Sequence, residues 1–424
     1  MLGSGRRRAL KKLKITLARE RFSFPGVAAE AAGPLAHNGA LQQPGMPGIG
    51  RLVTVRAPAS QEKPRPMDEF TGTRPMADSH AFDIQALSDW LASRLPSFQG
   101  PLHVAQFKGG QSNPTYLLTT SARRYVMRSK PGPVARLLPS AHAIEREYRV
   151  MGALQGTGVP VPAMVALCDD ESVIGRAFYI MEHVEGRVLW DQSLPGMSRS
   201  QRGAIYDEMN RVMAALHRVD PAAAGLGDYG RPGNYFERQI GRWSKQYQAS
   251  ITEPIEAMDR LIEWLPAHIP AGARDGSQVS VVHGDFRLDN LIFHPTEARV
   301  LAVLDWELST LGHPLADFSY NCMAWHIPHT LSRGIAGLDI DALGIPDEDE
   351  YLRRYCERTA RVDLEAVRAD WNFYLAYNLF RIAAILQGIA RRVVDGTAAS
   401  AGAVKAGSGA RPLADLAWSF AKKA

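Results

Sequence analysis

The chain contains 424 residues, more than one simple hydrophobic core accommodates, so two lobes or domains are expected. Its 46% hydrophobic and 22% charged residues are ordinary for a soluble globular protein, and no run of 18 apolar residues occurs, which predicts no membrane span. The net charge of +5 arises in residues 1–75, which hold 13 Lys and Arg against 5 Asp and Glu; the remainder holds 36 against 39. This slightly acidic remainder gives no reason to expect nucleic-acid binding.

Residues 1–75 are rich in Gly, Pro and Ala and show no sustained hydrophobic periodicity. Basic clusters at residues 6–8 and 11–14 are compatible with a targeting segment, because Arg-rich, acid-poor leaders are typical of transit peptides. We favour a disordered extension or a translation start placed too early, since Met76 lies just before the first periodic segment.

The following segment, residues 80–184, reads as a mainly β lobe. Apolar spacing predicts a helix over residues 82–95, which ends before Pro96. A second helix carries Glu145 and Glu147 and ends before a Gly- and Pro-rich break at residues 158–162. Strands are predicted over residues 102–107, 115–119, 125–127, 164–167 and 177–181.

Residues 185–424 are predicted to be mostly helical, apart from one pair of apolar strands. A strong helix covers residues 198–217 with a serine at its start, which is a favoured capping residue. Residues 327–347 are predicted to form a loop, and 402–409 a flexible link. Further helices are predicted within 225–275 and over 315–326, 349–359, 363–394 and 412–422.

A group of polar residues interrupts the apolar strands after residue 280. One apolar run ends in His283, Gly284 and Asp285, Asn290 follows five positions later, and a second apolar run ends at Asp305. Phosphoryl transfer needs a carboxylate that takes the acceptor's proton and oxygen ligands for Mg²⁺. We therefore assign Asp285 as the catalytic base and Asn290 and Asp305 as metal ligands. A metal-dependent hydrolase that uses His283, Asp285, His294 and Asp305 is an alternative interpretation.

The run HGDFRLDNLIFHP and the later VLAVLDWELSTLGHPLADFSY resemble the aminoglycoside phosphotransferase family of small-molecule kinases. They are most similar to the branch that is fused to acyl-CoA dehydrogenases in some proteins. The resemblance covers most of residues 80–422 and implies an α+β, protein-kinase-like fold. It implies an N-lobe of residues 80–184 that includes the hinge and a helical C-lobe of residues 185–424 that holds the catalytic loop and the acceptor pocket.

The resemblance also implies roles in nucleotide binding. In the family, a cation on the third strand contacts the nucleotide phosphates and pairs with a glutamate on the next helix. The matching residues are Arg128, where protein kinases have Lys, and Glu147; Lys130 would share the face of Arg128 and is a second choice. The turn between the first two strands would approach the phosphates or be an ordinary hairpin turn, and its residues are Gly109, Gly110, Gln111 and Ser112. Met181, Glu182 and His183 match the hinge that binds adenine.

Other residues support the loop or face the acceptor. His283 and Asp317 are expected to be structural supports of the catalytic loop. Arg287 is either a salt-bridged loop residue or a contact to an anionic acceptor. Polar residues of the long helix over 363–394 either line the acceptor pocket or form one polar face, and they are Asn372, Tyr374, Tyr377, Asn378 and Arg381.

The sequence thus predicts an ATP- and Mg²⁺-dependent kinase whose partner is a small molecule with an acceptor hydroxyl. By analogy, the acceptor is a hydroxyacyl-CoA or a hydroxy acid. The alternative is a nucleotide-binding pseudokinase without transfer activity, which Arg128 in place of Lys supports. Three widely spaced cysteines, Cys168, Cys322 and Cys356, predict a reducing, cytoplasmic location. The oligomeric state cannot be predicted.

Overall fold

The computed structural model describes residues 72–108, 113–131, 143–231, 233–274, 276–331, 333–361, 363–398 and 402–424. All of them belong to the unit Lys63–Ala424. The predictions for residues 1–71 and for the turn Gly109, Gly110, Gln111 and Ser112 lie outside the described residues.

The first part of the described chain is a six-stranded antiparallel sheet with the order β1-β2-β3-β4-β6-β5. Its strands are β1 (Thr73–Arg74), β2 (His103–Phe107), β3 (Thr115–Thr119), β4 (Arg124–Ser129), β5 (Met164–Cys168) and β6 (Phe178–Glu182). Helix α1 (Ile84–Arg94) begins at Asp83, whose side chain accepts from the backbone of Gln85 and Ala86. Helix α2 (Ile144–Leu154) lies between β4 and β5 in the chain.

Strand β4 is central and is covered on both faces. Tyr125 and Met127 belong to a small core with residues of α1, whereas Val126 belongs to the large core that includes α2 and the helical part of the chain. Because side chains alternate along a strand, Arg128 lies on the same face as Val126. A cation is therefore directed from the sheet toward α2 and the helices.

Helix α2 directs an acidic residue into the protein. Its buried residues are Ile144, Glu147, Val150, Met151 and Leu154, which recur at helical spacing on one face. Glu147 thus occupies a position where the helix otherwise carries apolar side chains.

The rest of the chain is largely helical, as predicted. Its helices are α3 (Arg199–Arg218), α4 (Tyr235–Ser250), α5 (Glu256–Ala267), α6 (Ala271–Arg274), α7 (Pro314–Cys322), α8 (Ile340–Leu343), α9 (Glu348–Thr359), α10 (Leu364–Val394), α11 (Ala403–Gly407) and α12 (Ala410–Ala421). A three-stranded and a two-stranded sheet interrupt the helices, with strands β7 (Arg187–Val188), β8 (Ser280–Val282), β9 (Leu291–Phe293), β10 (Val300–Val303) and β11 (Thr310–Gly312). At the start of α3, Ser198 and Gln201 form a reciprocal capping box.

Two predictions for the last third of the chain were wrong. Residues 402–409 were expected to form a flexible link, but α11 lies within them. The glycine there serves packing, because a Cβ on Gly407 would lie 2.9 Å from the Cα of Ala390 in α10. Within the predicted loop 327–347, the short helix α8 forms and ends at Gly344 in the left-handed conformation.

Helix α10 is the one helix of the described chain that is long and apolar enough to cross a membrane by length and composition. Within its most apolar 18-residue window, 72% is buried inside the protein. The same properties characterise the central helix of a helical core, and α10 packs on α4, α7, α11 and α12. The expectation of no membrane span stays a prediction.

Candidate active site

Arg128 connects the sheet to two other elements. Its Nε atom lies 3.0 Å from Glu147 Oε2 on α2, an ion pair by distance in which the N–H does not point at the oxygen. One terminal nitrogen lies 2.9 Å from Asp305 Oδ1 and 3.3 Å from Glu307 Oε2. Burial lowers the pKa of this guanidinium, but the four groups Glu147, Tyr179, Asp305 and Glu307 together raise it further, so Arg128 stays charged.

Glu147 is held on both of its carboxylate oxygens. Asn113 Nδ2 donates to Oε1 at 3.1 Å, and the Tyr179 hydroxyl donates to Oε2 at 3.1 Å. Burial raises the pKa of Glu147, and Arg128 opposes this effect. Lys130 pairs with the neighbouring Glu145 instead, so this second-choice cation is used elsewhere.

The catalytic loop follows β8 and is fixed through its backbone. Asp317 on α7 accepts from the backbone nitrogens of His283 at 2.6 Å and Gly284 at 2.8 Å, and it also contacts His217. Gly284 has φ +82°, and a Cβ there would lie 2.8 Å from the carbonyl oxygen of Leu308. This turn therefore requires glycine and places Asp285 directly after an anchored segment.

His283 supports the loop through both ring nitrogens. Nε2 lies 2.8 Å from the carbonyl oxygen of Leu304, and the backbone nitrogen of Asp285 donates to Nδ1 at 3.2 Å. His294 accepts from the backbone of its own turn. Within the part of the chain that the structure describes, no three His, Cys, Asp or Glu residues are grouped to hold a metal. The hydrolase interpretation therefore finds no support.

Asp285 makes different contacts through its two carboxylate oxygens. The Tyr320 hydroxyl donates to Oδ1 at 2.5 Å. Asn290 Nδ2 lies 3.2 Å from Oδ2, and a terminal nitrogen of Arg287 lies 3.3 Å from the same oxygen. The sequence did not single out Tyr320, although its position three residues after Asp317 places both on one helix face.

Asn290 and Asp305 fit the requirements of a Mg²⁺ ion. The amide nitrogen of Asn290 donates both to the backbone oxygen of Asp285 at 2.9 Å and to its side chain, which leaves the amide oxygen for a cation. Asp305 has a left-handed backbone with φ +66°, and its side chain is 33% exposed. Mg²⁺ in phosphotransferases takes one or two protein oxygens together with phosphate and water, so a closed cage of acidic residues is not needed.

Three arginines surround the loop on the side of Asp285. Arg287 contacts Asp285 and, at 3.3 Å, Asp289, and Arg333 contacts the other oxygen of Asp289 at 3.2 Å. From α10, Arg381 donates to the carbonyl oxygen of Gly284 at 2.6 Å. The loop-capping role expected of Asp289 is replaced by these ion pairs.

The predicted hinge lies at the end of β6. Met181 is buried, whereas Glu182 is exposed. Their strand continues with hydrogen bonds from the backbone nitrogen of Glu182 to Ala163 at 2.9 Å and from that of His183 to Arg124 at 3.4 Å. Burial lowers the pKa of His183, and the charge of Arg124 adds to this effect. These backbone nitrogens are thus used within the sheet, and adenine would need other groups of the segment.

The polar residues of α10 divide between the two interpretations. Arg381 reaches the catalytic loop, whereas buried Asn378 binds α7 through Ala316 and Ser319. Asn372 contacts the backbone of Lys423 near the end of the chain. Tyr374 and Tyr377 are buried beside Phe236.

Comparison with known proteins agrees with this architecture. The family described as "Phosphotransferase enzyme family" (APH) matches residues 103–367. Mouse acyl-CoA dehydrogenase family member 10 is 48% identical over 354 residues, which are 83% of this chain and 32% of the mouse protein. Rat acyl-CoA dehydrogenase family member 11 is 40% identical over 362 residues, which are 84% of this chain and 45% of the rat protein. The chain therefore spans less than half of the length of these relatives.

Solved structures show the same fold. A presumed aminoglycoside phosphotransferase from Ralstonia eutropha JMP134 is 64% identical with a TM-score of 0.74, covering 81% of this chain and 99% of that chain. Aminoglycoside phosphotransferase APH(4)-Ia, in complex with AMP-PNP and hygromycin B, is 15% identical with a TM-score of 0.51, covering 79% and 98%. Choline kinase from Cryptosporidium parvum is 13% identical with a TM-score of 0.53, covering 80% and 95%.

The predicted α+β, protein-kinase-like fold is confirmed by these neighbours. The sheet with its arginine, the helix with its glutamate and the anchored Asp285 loop define a small-molecule phosphotransferase. The chain belongs to the phosphotransferase enzyme family, since the family match covers more than half of its length.

Proposed function

We propose that this protein transfers the γ-phosphate of ATP to a hydroxyl group of a small molecule in a Mg²⁺-dependent reaction. The observation that carries the proposal is the contact of one buried guanidinium with both Glu147 and Asp305. This contact brings the nucleotide-binding strand to one of the two residues assigned to the metal. Both belong to a site whose remaining parts, Asp285 and Asn290, are in direct contact.

Asp285 supplies the base of the reaction. Its carboxylate takes the proton of the acceptor hydroxyl as the oxygen attacks the γ-phosphorus, and the bond to the β-phosphate oxygen breaks. Asp317, Arg381 and Asn290 hold its backbone in place through the neighbouring peptide groups. Such preorganisation places the base at the acceptor before the reaction begins.

Asp305 and Asn290 would hold Mg²⁺, which neutralises the charge of the phosphate oxygens when it is bound. Arg128 would contact the nucleotide phosphates, as Arg can bind them in bidentate fashion. In this structure its nitrogens contact three carboxylates, so phosphate binding shares the guanidinium with Glu147, Asp305 and Glu307. ATP as the donor is supported by the solved neighbours that contain AMP-PNP or ADP.

The acceptor is proposed to be an anionic hydroxy compound, a hydroxyacyl-CoA or a hydroxy acid. Arg287, Arg333 and Arg381 lie around the loop of the base, and the Arg333 side chain is 45% exposed. This cationic surrounding suits phosphate or carboxylate groups and disfavours polycationic aminoglycosides. The names of the mouse and rat relatives refer to acyl-CoA chemistry. We place the protein in the cytoplasm, an assignment that the three free, buried cysteines support.

The test is the turnover of γ-labelled ATP with Mg²⁺ against hydroxyacyl-CoAs, hydroxy acids, sugars and aminoglycosides. Transfer to the first two classes, lost in Asp285→Asn, is the expected result. Transfer to an aminoglycoside without any transfer to hydroxyacyl compounds would contradict the proposed acceptor. Tight ATP binding with no transfer to any compound would favour the pseudokinase alternative.

A further inference from the structure

A buried tyrosine contacts the carboxylate of the proposed base. The Tyr320 hydroxyl donates to Asp285 Oδ1 at 2.5 Å, within the range of a charge-assisted O–H···O⁻ hydrogen bond. The residue is only 8% exposed, so the hydroxyl needs a partner inside the protein. The other carboxylate oxygen, Oδ2, is contacted at the longer distances of 3.2 Å and 3.3 Å.

The tyrosine itself is held by two helices. On α7, Tyr320 lies three residues after Asp317, which anchors the loop backbone. On α10, Asn378 binds α7 through Ala316 and Ser319. One turn further along α10, the Arg381 guanidinium lies 5.2 Å from the centre of the Tyr320 ring and donates to Gly284.

We propose that Tyr320 is a positioning residue that occupies Oδ1 of Asp285, so that Oδ2 is the oxygen that takes the proton of the acceptor. This inference rests on the proposed function. Each carboxylate oxygen then has a separate task, because Oδ1 is bound to the protein and Oδ2 faces the acceptor. Tyr320 keeps its own proton throughout, and the transferred proton passes from the acceptor hydroxyl to Oδ2 alone.

Two properties of the site support this division. Burial raises the pKa of Tyr320 well above its ordinary value, and the charge of Asp285 raises it further, so the hydroxyl remains a donor. The contacts of Oδ2 come from Asn290 and Arg287, which belong to the catalytic loop itself. They turn the second oxygen toward the groups assigned to the metal and the acceptor.

The test compares Tyr320→Phe with Tyr351→Phe in the full chain. Tyr351 is a matched control because it is also buried, and its hydroxyl donates to Asn321 Oδ1 at 3.1 Å, away from Asp285. Phosphate release from ATP to water is measured with Mg²⁺, since this reaction needs no identified acceptor. Asp285→Asn and the double variant Tyr320→Phe with Asp285→Asn complete the set.

We expect Tyr320→Phe to lower kcat about 10- to 100-fold, the effect of a misplaced catalytic group, with KM for ATP unchanged within about twofold. Tyr351→Phe should keep kcat although it loses a similar buried hydrogen bond. In the Asp285→Asn background, Tyr320→Phe should cause no further loss. An unchanged kcat in Tyr320→Phe, or an equal loss in both backgrounds, would overturn the proposal.

Crystals of the variants with AMP-PNP give a readout that does not depend on turnover. The Asp285 carboxylate should rotate in Tyr320→Phe and keep its orientation in Tyr351→Phe. An unchanged orientation in Tyr320→Phe overturns the positioning role even if the protein hydrolyses no ATP. Full activity of Asp285→Asn would instead refute the assignment of the base, which separates a failure of the proposed function from a failure of this inference.

Discussion

Arg128 allows a direct test of how the buried ion pairs hold the nucleotide site together. In Arg128→Lys the charge is kept, but a single ammonium nitrogen replaces the three nitrogens of the guanidinium. Arg128 reaches Glu147 through Nε at 3.0 Å and Asp305 through a terminal nitrogen at 2.9 Å. Lysine can therefore keep only one of these two contacts in the present arrangement.

The size of the effect follows from burial. The side chains of Arg128 and Glu147 are 10% and 2% exposed, so water cannot replace the lost contact. A hydrogen bond to a charged group contributes about 1.5–3 kcal/mol, and we expect the free energy of unfolding to fall by about 2 kcal/mol. The same loss of phosphate geometry should raise KM for ATP about tenfold, with a smaller effect on kcat.

Arg124→Lys is the matched control, because Arg124 lies on the same strand and also forms an ion pair. Its side chain and that of Glu185 are 45% and 74% exposed, so the change should alter the free energy of unfolding by less than about 1 kcal/mol. The assays are urea denaturation and steady-state kinetics with varied ATP. Equal losses of stability in the two variants would refute the reasoning from burial, and a lower KM in Arg128→Lys would show that lysine suits the phosphates better.

Three other predictions concern the catalytic loop. Gly284→Ala should lower the free energy of unfolding by about 1–3 kcal/mol in urea denaturation, because φ is +82° and Leu308 blocks the Cβ, whereas Gly241→Ala on helix α4, where nothing lies within 4 Å, should not destabilise. Burial raises the pKa of Asp317, but His217 and His283 lower it more, so it lies below the ordinary value of 3.8. The stability it contributes is present above pH 3.8 and is lost as the pH falls through the folded-state pKa; Asp317→Asn should flatten the acid limb of the urea midpoint, and parallel curves would contradict this. Arg333→Met should raise KM for an anionic acceptor about tenfold without changing KM for ATP, an effect that Arg299→Met, in an exposed pair with Glu297, should lack.

Local patterns in the sequence were sufficient for most of the fold. Strand β3 was predicted with its observed bounds, and α3 was predicted within one residue at each end, because alternation and a serine cap are local signals. The glycine-rich segment 402–409 was misjudged because its glycine permits close contact with α10, a partner that local sequence does not show. Packing against a distant helix thus decided the structure of that segment.

The candidate site was predictable where its residues follow each other in a motif. His283, Asp285, Asn290 and Asp305 lie close together in the chain, and their spacing alone suggested the chemistry. Glu307 was missed as a partner of Arg128 because it is 179 residues away, and nothing in the strand indicates that the arginine is shared. Long-range partners of this kind depend on how the sheet meets the loop.

Tyr320 and Arg381 show why the remaining parts could not be read from the sequence. They reach the loop from 35 and 97 residues away, on helices whose apolar periodicity explains each of them as an ordinary core position. A buried polar group is costly unless it is paired, so its partner is what distinguishes a functional tyrosine from a structural one. For Tyr320 that partner is the carboxylate of the proposed base, and this contact, rather than the residue type, assigns it to the active site.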